Sequence, residues 1–291
     1  MNILNKIFKP QKEVPVPKDI EYFIGDSKII LHSGHALPKY QKEHRLYDRF
    51  LPILAKHLPK EKIIVDVGAN VGDTLISMIK NLDNKFYCVE PSNEFYEYLK
   101  MNISFLDKHL QKNIKIYKNL IGTNNFAGNI VENGLGTASL NIDDNTISNS
   151  KTISLDELLK NEKDIILIKV DTDGFDFDVL LSGNTICKNE KPILFWENEV
   201  KTEYQKNGYF ELYDFLESNG YTHLFIFDNF GNLMLENSNF KTLSDLTEYI
   251  YSMNQQKSTR TIYYNDVLAV CPNNLHIANN AINEYKRLIK S

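Results

Sequence analysis

The chain has 291 residues, of which 42% are hydrophobic and 24% are charged, so it can bury a full core in one large α/β domain. Its net charge is −5 and its basic residues are scattered, which excludes nucleic acid or an anionic membrane as an obvious partner. A small molecule or a glycan is the more natural substrate. Residues Met1 to Phe8 contain no apolar run long enough for a signal peptide or a membrane span, which predicts a cytoplasmic protein.

Residues 1–60 are predicted to form an N-terminal arm, a hairpin and a helix ahead of the main domain at 61–291. The arm, 1–18, contains three prolines and several lysines and reads as extended chain. The hairpin covers Tyr22 to His32 and turns at Gly25, and apolar residues at helical intervals predict one helix after Pro38. Four aromatic residues here either form a lid over a ligand site in the next segment or belong to the plain core: His35, Tyr40, His44 and Tyr47.

The segment from Lys62 to Glu90 reads as strand, glycine turn, helix and strand. A β-branched run without helical period precedes Gly68, which is typical of a strand buried on both faces of a parallel sheet. Gly68 and Gly72 allow a sharp turn and a close approach of the backbone to a ligand. Asp73 is expected to cap the following helix. Glu90 ends the second strand about 20 residues beyond the turn, where an acid can accept hydrogen bonds from a ribose.

The glycine turn also indicates which nucleoside is bound. The turn reads G-A-N-V-G-D, and Asp73 lies where a pyrophosphate would meet the helix N-terminus. A carboxylate there repels a dinucleotide. S-adenosylmethionine fits better, because it has a ribose and an adenine but no phosphate, and its ammonium and sulfonium groups are cationic. A turn that binds nothing is the structural alternative.

The chain after Glu90 continues the alternation of strands and helices. Ser92 is expected to cap a helix, as is Ser154 further along the chain, and the next strand runs from Ile114 to Ile121. This alternation predicts a parallel sheet with its ligand at the carboxyl ends of the strands. The polar segment from Gly122 to Ser150, with Gly134 and Gly136, reads as a hairpin or a long loop at the rim of the site.

A cluster of acids follows the next buried strand, Ile165 to Val170, which only Lys169 interrupts. Asp171, Asp173 and Asp176 come directly after it. Like charges held close together cost free energy unless a cation or a proton shares the site. The favourable position of acids at a helix N-terminus explains Asp176, and in part Asp173, but not Asp171. A fifth strand from Pro192 ends near Glu197, and further helices and strands lead to a last strand and a closing amphipathic helix.

Four motifs together resemble the FkbM family of S-adenosylmethionine-dependent methyltransferases: DVGANVGD from Asp66, VEPS from Val89, SLDELL from Ser154 and IKVDTDGFDFDVLLSG from Ile168. The resemblance implies a Rossmann-like class I methyltransferase fold of the α/β class, with a mostly parallel seven-stranded sheet, helices on both faces and the last strand antiparallel. It also implies O-methylation, often of sugars, as in polysaccharide biosynthesis. Asp173 and Asp176 depart from the family, which usually has glutamate at both positions.

The predicted site follows from the residues and the resemblance together. The expected catalytic residues are Asp171, Asp173 and Glu197, with Asp171 bordering both cofactor and acceptor. The expected cofactor-binding residues are Asp66, Gly68, Asn70, Gly72, Asp73, Glu90, Ser92, Ile121 and Asp171. By similarity, Gly68, Asn70 and Gly72 approach the methionyl part and Glu90 the ribose. No metal ligand is assigned, although a divalent metal stays open.

Two other functions remain open at this point. Asp171, Thr172 and Asp173 also fit the D-x-D motif of a metal-dependent glycosyltransferase, although Asp73 argues against a nucleotide diphosphate. A non-catalytic nucleoside-binding protein of the same fold is the second alternative. The leading interpretation is an O-methyltransferase acting on a hydroxyl of a small molecule, most naturally a sugar or a nucleotide-linked sugar of a surface glycan.

Overall fold

The computed structural model describes residues 19–80, 82–123, 128–133, 137–142, 152–256 and 260–290, with backbone alone for 128–133 and 137–142. The predicted extended arm at 1–18 lies outside the described residues. The strands are β1 (Ile20–Ile24), β2 (Ser27–Leu31), β3 (Ile63–Val67), β4 (Lys85–Val89), β5 (Ile114–Tyr117), β6 (Gly128–Asn133), β7 (Thr137–Ile142), β8 (Ile165–Val170), β9 (Ile193–Glu199), β10 (His223–Asp228), β11 (Leu233–Ser238) and β12 (Tyr264–Val270).

The helices alternate with these strands through most of the chain. They are α1 (Leu37–Glu43), α2 (Phe50–His57), α3 (Asp73–Ile79), α4 (Asn93–Ser104), α5 (Lys108–Gln111), α6 (Leu155–Leu158), α7 (Asp176–Leu181), α8 (Asn184–Asn189), α9 (Glu203–Ser218), α10 (Phe240–Gln255) and α11 (Leu275–Lys290). Side-chain caps begin α4 and α6 as predicted, since the Phe95 amide donates to Ser92 Oγ and the Glu157 amide to Ser154 Oγ. The first residue of α3 is Asp73, but its N-cap is Gly72, with φ 87°.

The main sheet has eight strands in the order β11-β10-β12-β9-β8-β3-β4-β5. The five strands from β9 to β5 are parallel to one another, and β12 is inserted antiparallel between β9 and β10. The antiparallel last strand and the mostly parallel sheet are therefore confirmed. The number seven is wrong, because the chain turns back after β10 and adds β11 as an antiparallel edge strand.

Helices cover both faces of this sheet, so the central strands are buried and mostly apolar. All five residues of β3 are buried, with Val65 packed in the core on one face and Ile64 in the core on the other. The first core is closed by α7, α9 and α10, and the second by α2, α3 and α11. A strand with two covered faces is rich in β-branched and other apolar residues, which is why this segment was recognisable from its sequence.

The N-terminal segment packs against the main sheet. Strands β1 and β2 pair antiparallel around Gly25 as predicted, and Ile29 packs on Phe95 of α4. The single helix expected after Pro38 is wrong: the chain forms α1 and α2, separated by a break in which Asp48 has φ 58°. Helix α2 shares the core of the sheet, and the domain boundary at residue 61 stays a prediction.

The polar segment at 122–150 contains a hairpin. Strands β6 and β7 pair antiparallel, with Gly128 opposite Ile142, as one of the two predicted forms requires. Its turn, with Gly134 and Gly136, lies outside the described residues. Among the helices that the structure describes, none has both the length and the apolar character needed to cross a bilayer.

Candidate active site

A cavity of about 530 Å³ opens at the carboxyl ends of β3, β4, β8 and β9. This volume lies in the range of small-molecule sites. The sheet edge contributes the Gly68 turn, Glu90, Asp171 and Glu197 to the walls. Eight of the predicted site residues line the cavity: Gly68, Asn70, Asp73, Glu90, Ile121, Asp171, Asp173 and Glu197.

Gly68 and Gly72 are glycines for different steric reasons. Gly68 has φ 77°, and a Cβ there would lie 2.8 Å from the carbonyl carbon of Asp171 and closer still to its oxygen. At Gly72 a Cβ would lie 2.7 Å from Leu99 Cδ1 of α4. The amides of Gly68 and Ala69 both donate to the Val89 carbonyl, at 3.0 Å each. The turn therefore lies in close contact with both neighbouring strands, β4 and β8, and only glycine fits at its first position.

Glu90 is held below the turn by two backbone amides. Its Oε2 accepts from the Asn70 amide and its Oε1 from the Ser92 amide, both at 2.8 Å. The residue is only 4% exposed, and burial raises the pKa of its carboxyl to about 7 although both amides act in the opposite direction. Each carboxylate oxygen keeps a second lone pair, so Glu90 can still accept from a ligand hydroxyl in the cavity.

The three other predicted cofactor residues lie outside the cavity wall. Asp66 is fully buried, and its Oδ1 lies 3.0 Å from Lys169 Nζ. Ser92 is 2% exposed and caps α4, while its amide fixes Glu90. Because Gly72 has no side chain, it leaves room for the side chain of Leu99. These three residues stabilise the glycine turn and its neighbours, and none of them is among the described residues that line the cavity.

The acids after β8 take two different positions. Asp171 is half exposed and faces the cavity, with its Oδ2 3.4 Å from Lys169 Nζ. Asp173 also faces the cavity, in a left-handed conformation with φ 52°. Asp176 is fully buried and accepts from the Thr172 amide, the Thr172 hydroxyl and the Glu197 amide. Asp176 therefore braces the loop and β9 and is a structural acid.

Four acids of the described cavity wall are missing from the predicted site: Asp48, Asp178, Glu199 and Asp266. Asp48 comes from the break between α1 and α2, which no pattern of residues indicated. Asp266 lies near the start of β12 and pairs directly across from Glu197. Because β12 runs antiparallel, its first residues and not its last reach this edge of the sheet. An antiparallel last strand, implied by the resemblance, could have pointed to Asp266.

Burial raises the pKa values of several acids at this edge, and the charge of Asp171 adds to the effect for Asp173, Asp176, Glu197 and Asp266. The pKa values of Glu197 and Asp266 are raised well above their usual range. Three carboxyls, here called the near-neutral acids, have pKa values of about 7: Glu90, Asp173 and Asp176.

The cavity as a whole is negative and partly aromatic. Among the described residues, nine carboxyl side chains line it against two permanently charged cations, Lys169 and Arg49. Three of the four predicted lid aromatics, His35, Tyr40 and Tyr47, line it as well. His44 instead stacks on Phe230, with ring centroids 3.8 Å apart. A negative cavity of this kind favours a cationic ligand over a nucleotide diphosphate.

This architecture defines a Rossmann-like protein of the class I methyltransferase fold, with a glycine turn after the first central strand and an acid after the second. The sequence model described as "Methyltransferase FkbM domain" matches residues 66–222, more than half of the chain. The chain belongs to the FkbM family of S-adenosylmethionine-dependent methyltransferases, as its motifs predicted. No curated protein sequence matches it significantly.

Solved structures that align with this chain include several methyltransferases. The methyltransferase FkbM from Methylobacillus flagellatus KT aligns with 80% of this chain at 16% identity and a TM-score of 0.42, and the alignment spans half of that protein's length. The O-methyltransferase from Bacillus cereus in complex with SAH aligns with 81% of this chain and 88% of its own, at 11% identity and a TM-score of 0.43.

Proposed function

We propose that this protein transfers the methyl group of S-adenosylmethionine to a hydroxyl of a small molecule, a sugar or nucleotide-linked sugar of a surface glycan. One observation carries the proposal: a single cavity joins the Gly68 turn and Glu90 to the acids Asp171, Asp173 and Glu197. The first group offers what a cationic nucleoside needs, and the second offers proton acceptors beside it. Family membership and the negative cavity favour this function over the glycosyltransferase and the binding protein.

The cofactor half of the cavity is the part around the Gly68 turn. In this proposal Glu90 accepts from the ribose hydroxyls, and Gly68 and Asn70 approach the methionyl part. Asp73 faces the cationic ammonium end, and Ile121 contributes apolar wall. Three residues outside the cavity wall hold the turn, α4 and Glu90 in place: Asp66, Gly72 and Ser92. The bound cofactor supplies an electrophilic methyl group on its sulfonium.

The acceptor half is formed by the N-terminal segment and the last strands. Its aromatic side chains include Tyr40 and Tyr263, which are about 40% exposed although they line the cavity. Aromatic faces beside carboxylates suit a sugar, because apolar ring faces pack on the aromatics while hydroxyls donate to the acids. This chemistry supports a hydroxylated acceptor.

Asp171 is the proposed general base. Its carboxylate is open to the cavity and could take the proton of the acceptor hydroxyl when that oxygen gains the methyl group. The methyl–sulfur bond of the bound cofactor would break in the same step and leave S-adenosylhomocysteine (SAH). Asp173 and Glu197 are proposed to bind and orient the acceptor, since positioning of the oxygen in line with the methyl group supplies much of the rate.

A metal-assisted version of this mechanism uses two of these acids, Asp173 and Glu197, together with Glu199. Carboxylate oxygens of Asp173, Glu197 and Glu199 lie within 4.8 Å of one another, and an oxygen-only set suits Mg²⁺. One of the three, Glu199, already has an ion pair with Lys201 Nζ at 2.7 Å. We therefore prefer the general-base mechanism to the metal-assisted one. Full activity of the protein after chelation would remove the metal version and leave the general base.

Cofactor binding is tested by calorimetry with S-adenosylmethionine on the wild type and on Glu90→Ala. Loss of a hydrogen bond to a charged group should weaken binding by about 1.5–3 kcal/mol. Glu97→Ala, which removes an exposed acid of α4 that pairs with Lys100, is the matched control. Unchanged affinity of folded Glu90→Ala removes Glu90 from the site, and binding of nucleotide sugars in place of S-adenosylmethionine supports the glycosyltransferase.

The acceptor class is tested in a cell extract labelled with methyl-tritiated S-adenosylmethionine. We expect the label to enter a sugar fraction that is resistant to nuclease and protease. Asp171→Asn is the control that should abolish the labelling. Label recovered mainly in nucleic acid or protein would contradict the proposed acceptor.

A further inference from the structure

Lys169 is a charged residue inside a buried strand that the mechanism above does not use. It lies in β8, is 5% exposed, and pairs in the parallel register with Asp66 of β3. Burial alone lowers the pKa of a lysine, but here the carboxylates of Asp66 and Asp171 outweigh it and raise the pKa above its usual value. The side chain is therefore a permanent cation between two acids.

The contacts of the ammonium group join two strands at the cavity. Lys169 Nζ donates to the Gly68 carbonyl at 3.1 Å and lies 3.0 Å from Asp66 Oδ1 and 3.4 Å from Asp171 Oδ2. The Asp171 amide also donates to the Val67 carbonyl at 3.0 Å. The Gly68 turn is thus held from both sides, its amides by β4 and its carbonyl by the lysine of β8.

We propose that Lys169 is a positioning residue for the cofactor: its ammonium fixes the Gly68 carbonyl and the Asp171 carboxylate together, and so sets the shape of the turn that S-adenosylmethionine contacts. This inference rests on the proposed function for the location of the cofactor. A purely structural role is different, because a lysine that only neutralises buried Asp66 would be dispensable once that acid is neutral.

The experiment separates these two roles with SAH as the probe. Lys169→Met alone leaves Asp66 buried without its cation and can fail to fold. Asp66→Asn/Lys169→Met removes both charges and keeps the shapes of the side chains, so its folding is tested by thermal melting. Asp66→Asn alone keeps the lysine contacts to Gly68 and Asp171. Lys115→Met is the matched control, since Lys115 lies in the same sheet and pairs with Glu162 outside the cavity.

Calorimetry should show SAH bound about 10- to 100-fold more weakly by the double variant than by Asp66→Asn, at similar melting temperatures. The Lys115→Met affinity should equal that of the wild type. Equal affinities of the double variant and Asp66→Asn would overturn the positioning role, and so would a double variant that does not fold while Asp66→Asn does, since the lysine would then be structural. Absence of SAH binding by the wild type would instead contradict the proposed cofactor site.

Discussion

Replacement of Gly68 by alanine tests the steric basis of the cofactor turn. Two costs add at this position. An L-residue at φ 77° is strained by about 1–2 kcal/mol, and overpacking against the Asp171 carbonyl adds about 1–3 kcal/mol. We therefore expect Gly68→Ala to lower the free energy of unfolding by about 2–5 kcal/mol.

Gly25→Ala is the matched control. Gly25 also has a positive φ, 59°, but a Cβ there meets nothing within 4 Å. Only the conformational cost applies, about 1–2 kcal/mol. Because Gly25 lies in the β1–β2 turn and not in the active-site cavity, its replacement should leave the affinity for SAH unchanged.

Urea denaturation measures both variants, and calorimetry with SAH follows on the folded proteins. Gly68→Ala should bind SAH at least tenfold more weakly, since the Asp171 carbonyl or the turn must move to make room for the alanine side chain. If Gly68→Ala is destabilised no more than Gly25→Ala and binds SAH normally, the turn does not rest on Asp171 as described.

Two further predictions concern the acids. Asp171→Asn keeps the shape of the side chain and removes its charge, so turnover should fall by about 100-fold or more while the SAH dissociation constant changes much less; turnover close to the wild type would make Asp171 structural. Folding raises the pKa values of the three near-neutral acids, so the folded state binds more protons than the unfolded state from about pH 4 up to their folded pKa values, and stability falls as pH rises through this window. Burial beside His32 lowers the pKa of His35 to about 4 and has the opposite effect on stability below pH 6.5, but it is one group against three. The ligand-free protein should therefore melt at a higher temperature at pH 5.5 than at pH 8, and the reverse order in thermal melts would contradict the raised pKa values of these acids.

Local chemistry was sufficient to predict much of the fold and of the cofactor half of the site. A run of β-branched residues without polar alternation indicates a strand with two covered faces, which placed Ile63–Val67 at the centre of a parallel sheet. The glycine turn and Glu90 belong to one strand–turn–helix–strand unit, so both could be recognised within 30 residues. The hairpin around Gly25 and the caps at Ser92 and Ser154 are local for the same reason.

Only the tertiary structure decided the acceptor half and the supports of the turn. Asp48 reaches the cavity because the chain breaks between α1 and α2, and Asp266 because β12 runs antiparallel beside β9. Lys169 and Gly68 are 101 residues apart in sequence, and their contact exists because β8 pairs with β3. Contacts of this kind depend on strand order and direction, which no local pattern of residues specifies, and they determine which acids share the cavity and which cation holds its turn.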